Sequence, residues 1–294
     1  MDRRSFLSAM AATPVLAALL AACGDDSVAP ADTGTPGTGG DTTTPTAGTI
    51  AHPTGADEMV FRVGYEGGFT SPGYLFMNIP TLLVSGDGRV VQTGATPAIY
   101  PGPLLPALME RSIDEAGIQT LLAAAKDAGL LASPPDYSLP DGIGIADAAD
   151  SVVRINANGA SYVHSAYALD ITQSESMAST PARDNLAAFI ATVSDLETLV
   201  GAEHLGAEAP LVASQYRFQA MVVDPAQYTD IEPTVVPWPA GTGVVLADAA
   251  ECGVVAADAV GSLFADATQL TFFQEGEAVY QLSVIAVLPG DTLC

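Results

Sequence analysis

Positive charge is what this sequence lacks most. Lys126 is its only lysine, and lysine and arginine together number 9 against 34 aspartates and glutamates, a formal net charge of -25. Such a surface repels phosphate backbones and anionic headgroups, so nucleic acid is not an expected partner. The plain meaning of the excess is a solvated acidic surface that keeps the chain soluble. Histidine is almost as scarce: His52, His164 and His204 are the three. No His-Glu-x-x-His occurs, so the zincin helix is absent. No Gly-x-Ser-x-Gly elbow and no phosphate loop ahead of Lys126 occur either. The "DGIGIAD" run from Asp141 to Asp147 contains Gly-x-Gly, but it lacks the third glycine and the preceding strand of a dinucleotide fingerprint. No cofactor is expected.

Cysteine is also rare, with Cys23, Cys252 and Cys294. An odd number leaves one over in an exported protein. Cys23 ends an apolar run, Ala11 to Ala22, that follows Arg3 and Arg4. That run is too short to span a hydrocarbon layer of roughly 30 Å, and charge followed by apolar run reads as an export signal. The tetrapeptide Leu20-Ala21-Ala22-Cys23 resembles the lipobox of bacterial lipoproteins. The resemblance implies a diacylglycerol on the Cys23 thiol and cleavage just before it. "RRSFL" resembles the twin-arginine export motif, with Asp2 and Ser8 departing from its flanks. Two acyl chains hold firmly to a membrane. The expected location is the cell envelope, lipid-anchored and outside the cytoplasm, where disulfides persist. Cys252 and Cys294 are then free to pair with each other. Neither a Cys-x-x-Cys nor a nearby histidine gives zinc spacing.

Residues 24–56 hold no aromatic, and only Val28 and Ile50 are large aliphatics. Such a segment buries too little apolar surface to offset its ordering entropy. It reads as a disordered Gly/Thr/Pro tether, a few nanometres in reach by the scaling of about 5–6 Å × √n. His52, near its end, is expected in solvent.

Beyond residue 57 the pattern becomes that of a folded body. In "MVFRVGYEGGF" Val60, Arg62 and Gly64 share one strand side, and Phe61, Val63 and Tyr65 the other. "TLLVSGDGRVVQT" reads as a hairpin around Ser85-Gly86-Asp87-Gly88. Ser112 and Glu115 form a capping box, followed by the stripe Ile118, Leu121, Leu122, Ala125 and a stop at Gly129. "SVVRINANGASYVHSAY" is a second hairpin with Asn158-Gly159 as its turn. Thr180-Pro181 opens a second helix with Leu186, Phe189, Ile190, Val193 and Leu196 at helical spacing. The fold class is α+β, an antiparallel sheet or sheets with helices on one face.

The opening "FRVGYEGGF", the helix "SIDEAGIQTLLAAAKDAGLL" and the hairpin "SVVRINANGASYVHS" resemble the emfourin-like inhibitors of thermolysin-type proteases, and a similar group of bacterial α+β modules. The resemblance covers roughly residues 58–200. The chain departs from it in "SPGYLFMNIP" and "ATPAIYPGPLLPALME". It implies an α+β fold and raises protease inhibition as one hypothesis. It assigns no functional residue.

Further on, "SQYRFQAMVV" reads as a strand and "DPAQYTDIEPTVVPWPAGTG" as a long Pro-rich loop. Ala256 to Phe264 is a short helix. "TQLTFFQEGEAVYQLSVIAVLP" is a hairpin around Glu275-Gly276, with Tyr280, Leu282, Val284, Ala286 and Leu288 on one face. Strand, loop, helix and hairpin repeat the order of the first half in shorter form, which raises a two-fold pseudo-repeat. The expected organisation is a signal peptide at 1–23, the tether at 24–56, an α+β domain at 57–205, and a smaller α+β half or domain at 206–294.

Three readings of function compete. Tyr74, Phe76, Tyr100 and Trp238 lie in Pro/Gly-rich segments, where aromatics form recognition patches or plug a core edge. Plugging a core edge is the expected role of these aromatics; it is the lipid anchor, the spacer, the compact α+β body and the missing catalytic motifs that favour a tethered, non-catalytic protein-interaction module. The second reading is an envelope hydrolase built around His164 with a distant serine, since triads are recognised by geometry. The third is calcium or small-ligand binding by Asp136, Asp141, Asp147 and Asp150, the best candidates for hard-cation ligands, although their spacing departs from the EF-hand pattern.

Overall fold

The first strand, β1 (Met59–Gly67), is buried on both sides along its first half. After it come α1 (Pro72–Met77), β2 (Pro80–Ser85), β3 (Arg89–Thr93), β4 (Leu108–Ser112) and α2 (Glu115–Asp127). The chain continues through β5 (Ala149–Ala157), β6 (Ala160–Tyr167), α3 (Leu169–Ser174), α4 (Pro181–Ser194), α5 (Leu196–Val200) and β7 (Ala209–Pro210). It ends with β8 (Gln215–Val222), β9 (Thr234–Pro237), β10 (Gly253–Ala256), α6 (Ala257–Asp266), β11 (Thr271–Glu275) and β12 (Ala278–Ala286).

The computed structural model describes residues 48–175 and 177–294. Arg3, Arg4, Leu20, Ala21, Ala22, Cys23 and most of the expected tether lie outside the described residues. Ile50 lies inside them and is buried in the core. Its N–H donates to Gln119 Oε1 (2.8 Å), and Gln119 Nε2 donates back to its carbonyl (2.9 Å). Ordered chain therefore begins ahead of the composition change at residue 57.

The protein is α+β, with two mostly antiparallel sheets. The first has seven strands in the order β6-β5-β1-β2-β3-β4-β7 and is antiparallel throughout. The second has five, β10-β8-β12-β11-β9, and its β9–β11 pair is parallel. Turn chemistry accounts for the tight hairpins. Asn158 and Gly159 both take positive φ (53° and 71°), as a primed two-residue turn requires. The helix starts are local too. Thr180 caps α4 ahead of Pro181. The α2 cap is Asp114, whose Oδ1 accepts from Gly117 N at 2.9 Å, in place of the expected Ser112. Ser112 is committed to β4, paired with Arg89.

Three cores explain why the strands read as near-continuous apolar runs. Val60, Phe61, Val63, Leu82, Val84 and Val90 face α2, α4 and α5. Leu83, Val91 and Leu108 face the other way, onto Ile285, Ala286 and Leu288 beside the second sheet. Tyr280, Leu282 and Val284 point outward beneath α6 and Trp238. The layers are thus helices, sheet, sheet, helix, and central strands are covered on both faces. Two expected faces are corrected here. A register shift between Met59 and Phe61 lets Val60 join Phe61 on the helix side. Ala286, the last residue of β12, and Leu288, beyond its end, belong to the inter-sheet core instead of the face of Tyr280. The segment expected as a Pro-rich loop also contributes β9, which lies at the edge of its sheet, where proline is tolerated.

A buried ionic cluster lies between the sheets. Arg62 of β1 and Arg217 of β8 both approach Asp291, each at 3.4 Å.

Candidate recognition surface

At the end of β1 the chain leaves the sheet through Gly67 and Gly68, both at positive φ (72° and 82°). The Phe69 N–H then donates to Asp147 O at 3.0 Å. Ser71 caps α1 and Pro72 occupies its first turn. This six-residue helix lies against β12, so close that a Cβ on Gly73 would sit 2.0 Å from Ser283 Oγ. Only glycine permits that approach. The far end of α1 is held by two guanidiniums. Arg217 donates to Met77 O (3.1 Å) and lies 5.0 Å from the Phe76 ring centroid, while Arg62 donates to Asn78 O. Cations on terminal helix carbonyls are favourable both as hydrogen bonds and against the peptide dipoles.

This mounting leaves apolar side chains in solvent. Phe69 is 89% exposed, Tyr100 68% and Tyr74 51%. A side chain that plugs a core edge is not 89% exposed, so Phe69 is a surface feature. Tyr65, Phe69, Tyr74 and Leu75 line a cleft of about 610 Å³ together with Glu66, Asp147 and Asp170. Tyr74 is shared with an adjoining cleft of about 310 Å³, whose walls include Tyr100, Tyr228 and Gln269. Burial, aided by the charge on Asp170, holds the Tyr65 phenol above its ordinary pKa.

No family model, curated protein or solved structure matches the chain.

The residues singled out from sequence are scattered. Tyr74 and Tyr100 both line the smaller cleft. Phe76 lies beneath Arg217, and Trp238 is buried in the second core, its indole N–H donating to Val244 O at 2.9 Å. Cys252 and Cys294 pair with Cα atoms 5.4 Å apart, away from these clefts. The four aspartates do not converge, and among the described residues no three His, Cys, Asp or Glu are grouped to hold a metal. Asp136 accepts from Ser138 N, Asp150 from Ser165 Oγ, and Asp141 is exposed, while Asp147 reaches the large cleft. Nor is their loop a free one, because Tyr137 is buried in the helix-side core.

Tyr137 also explains His164, which is fully buried. Leu130 O can only accept, so His164 Nε2 donates to it (2.9 Å), and Nδ1 then accepts from the Tyr137 hydroxyl (2.8 Å). Both ring nitrogens are used in bracing the loop against β6, which leaves none for a serine. Beside it Arg183, missed by motif reasoning, donates to Tyr137 O, Tyr167 O and Thr172 Oγ1. The run "TPARDNL" shows only a charged residue on a helix; nothing in it signals burial. His52 is likewise inside rather than in solvent. Its side chain is 5% exposed and lies 3.2 Å from Glu115.

The remaining histidines titrate in opposite senses. Asp114 accepts from His204 Nδ1 at 3.0 Å, which raises the His204 pKa and lowers that of Asp114. Stability from His204 is full below the ordinary imidazole value of about 6.5 and is lost as pH rises through the raised one. Burial lowers the pKa of His164. The unfolded chain then takes up the proton first, so stability is full above about pH 6.5 and falls as pH drops toward the depressed value. In an NMR titration the His204 midpoint is expected above the ordinary value and that of His164 below it. Asp114→Asn should lower the His204 midpoint toward the ordinary value, with Glu203 still raising it, and leave His164 unmoved; a shift of both together would refute the assignment.

Proposed function

We propose that this chain is a non-catalytic recognition module, anchored through Cys23 outside the cytoplasm, which engages a protein partner through the clefts on either side of α1. The observation that carries the reading is the set of solvent-facing aromatics around α1: Tyr74 on the helix clamped by Arg62 and Arg217, Phe69 just ahead of it, and Tyr100 from the β3–β4 connection on the smaller cleft. Exposed aromatics on a braced scaffold are typical binding anchors, because they bury much area and lose little conformational freedom. The site offers contact area and fixed charge and no activated nucleophile. Membrane attachment comes from the lipid in this reading; among the described residues no helix is long and apolar enough to cross a membrane.

The test is cross-linking of the anchored protein in its own membrane, followed by mass spectrometry, with wild type beside a Phe69→Ala/Tyr74→Ala/Tyr100→Ala variant. A stoichiometric partner present for wild type and missing for the variant is expected. Identical cross-links from both, or none from a folded and exposed wild type, would overturn the reading. A metalloprotease as the partner would match the emfourin-like resemblance.

A further inference from the structure

The large cleft has two kinds of lining. Phe69, Tyr74 and Leu75 supply apolar surface, and Asp147 and Asp170 supply negative charge. The third acid of the cleft, Glu66, is neutralised by Arg154, whose Nη2 lies 2.8 Å from both of its carboxylate oxygens. Among the described residues Asp147 and Asp170 have no basic partner. The chain has little left to offer them. Arg62 and Arg217 are committed to Asp291, Arg89 to Asp87, Arg111 to Glu197, and Arg183 is buried beside Tyr137. Both are exposed and solvated, so a basic partner at this cleft would be supplied by another molecule rather than by the chain.

An aromatic wall beside carboxylates selects among cations. A guanidinium stacks on aromatic faces, carries an apolar stem that can lie along them, and accepts carboxylates through a planar fork. A hydrated metal ion gains nothing from Phe69. The volume, about 610 Å³ and continued past Tyr74 into the second cleft, suits a ligand of several residues rather than one small amine. The charge of -25 sets an attractive field for a basic segment and a repulsive one for anionic headgroups and nucleic acid.

We propose that the cleft receives an extended, arginine-bearing segment of a partner protein, with the guanidinium on Asp147 and Asp170 and its stem against Phe69 and Tyr74. This rests on the recognition reading above and adds the chemistry of the occupant. Net charge alone would favour any basic peptide anywhere on the surface; the cleft makes the attraction local.

The test uses the full chain in detergent micelles and two pools of acetylated, amidated pentapeptides, random except at the centre. One pool has arginine there and the other citrulline, its uncharged isostere. Retention of the arginine pool is expected to exceed that of the citrulline pool at least ten-fold. Asp147→Asn/Asp170→Asn should abolish the difference; Asn tolerates the positive φ of 61° at Asp147, so this variant should fold. Asp258→Asn/Asp266→Asn on α6 removes the same charge elsewhere and should leave retention unchanged. Equal retention of the pools, no retention of either, or equal loss in both variants would overturn the inference. If both pools bind alike and Phe69→Ala/Tyr74→Ala releases both, the recognition reading stands and the arginine falls.

Discussion

Replacing Cys252 and Cys294 by serine is expected to lower the unfolding free energy by about 4 kcal/mol. The pair is separated by 42 residues. A cross-link closing a loop of that length removes roughly this much conformational freedom from the unfolded chain in the chain-entropy description. The folded state loses order as well. Beyond β12 the tail is held as far as Asp291, by Val287 N donating to Gln215 O and Gly290 N to Asp57 O, each at 2.9 Å, and by Asp291 on Arg62 and Arg217, and the bridge fixes its last residue. Unpinned ends fray, and this one covers the inter-sheet core through Leu288. Urea unfolding of the serine variant at neutral pH, beside wild type with and without reductant, measures the effect. Reductant should bring wild type down to the variant. A loss below about 1 kcal/mol would mean that the denatured chain is not restrained by the bridge.

Asp291→Asn is expected to cost about 3 kcal/mol, by a different route. The carboxylate is the shared counter-ion of Arg62 and Arg217, and its side chain is only 9% exposed. Burial already lowers the Arg62 pKa, and Arg217 lowers it further, while Asp291 opposes both. Asparagine keeps the shape and removes the charge, leaving two guanidiniums together in a poorly solvated place. Removing one member of a buried ionic cluster leaves uncompensated charge, which costs more than the intact cluster contributes. Two readouts separate this cause from lost packing. Urea unfolding gives the loss itself. Arg62→Met/Arg217→Met/Asp291→Leu should recover much of it, because apolar replacement of a whole buried cluster is often neutral or better. A triple variant less stable than Asp291→Asn would show that the cluster is held for its hydrogen bonds to Asn78 O and Met77 O.

The two perturbations act on one tail, so their effects should not add. Asp291 accepts from Leu288 N at 3.0 Å and shapes the turn that leads to Cys294. Once either restraint is gone the tail is partly released and the second has less to hold. A double-mutant cycle should give a combined loss smaller than the sum of the two.

Local chemistry carried much of the fold in the sequence. Asn158-Gly159, Ser85 to Gly88 and Glu275-Gly276 marked their hairpins because each turn needs residues that tolerate its backbone angles. The stripe Ile118, Leu121, Leu122, Ala125 marked the buried face of α2. Elements whose stability comes from elsewhere left little mark. Helix α1 is too short to stand alone and is held by β12 and two arginines, so nothing in "SPGYLFMNIP" marks it as a helix. Strands β4, β7, β9 and β10 are short and supported by their neighbours.

The candidate surface divides in the same way. Tyr74, Tyr100 and Trp238 sit in similar Pro/Gly-rich segments, and the sequence marks them alike. Trp238 is buried because its ring meets Phe218, Phe264 and Phe273 from three other elements. Phe69 is exposed because Gly67 and Gly68 turn it off the sheet where nothing covers it. The amino-acid order by itself determined the acidic charge, the α+β class and the main hairpins, all set by composition or by residues a few positions apart. Only the tertiary structure decided which aromatics face solvent, that His164 is a brace, and that Asp147 and Asp170 share a cleft. Those are meetings of residues far apart in the chain, fixed by packing and by which buried polar groups find partners.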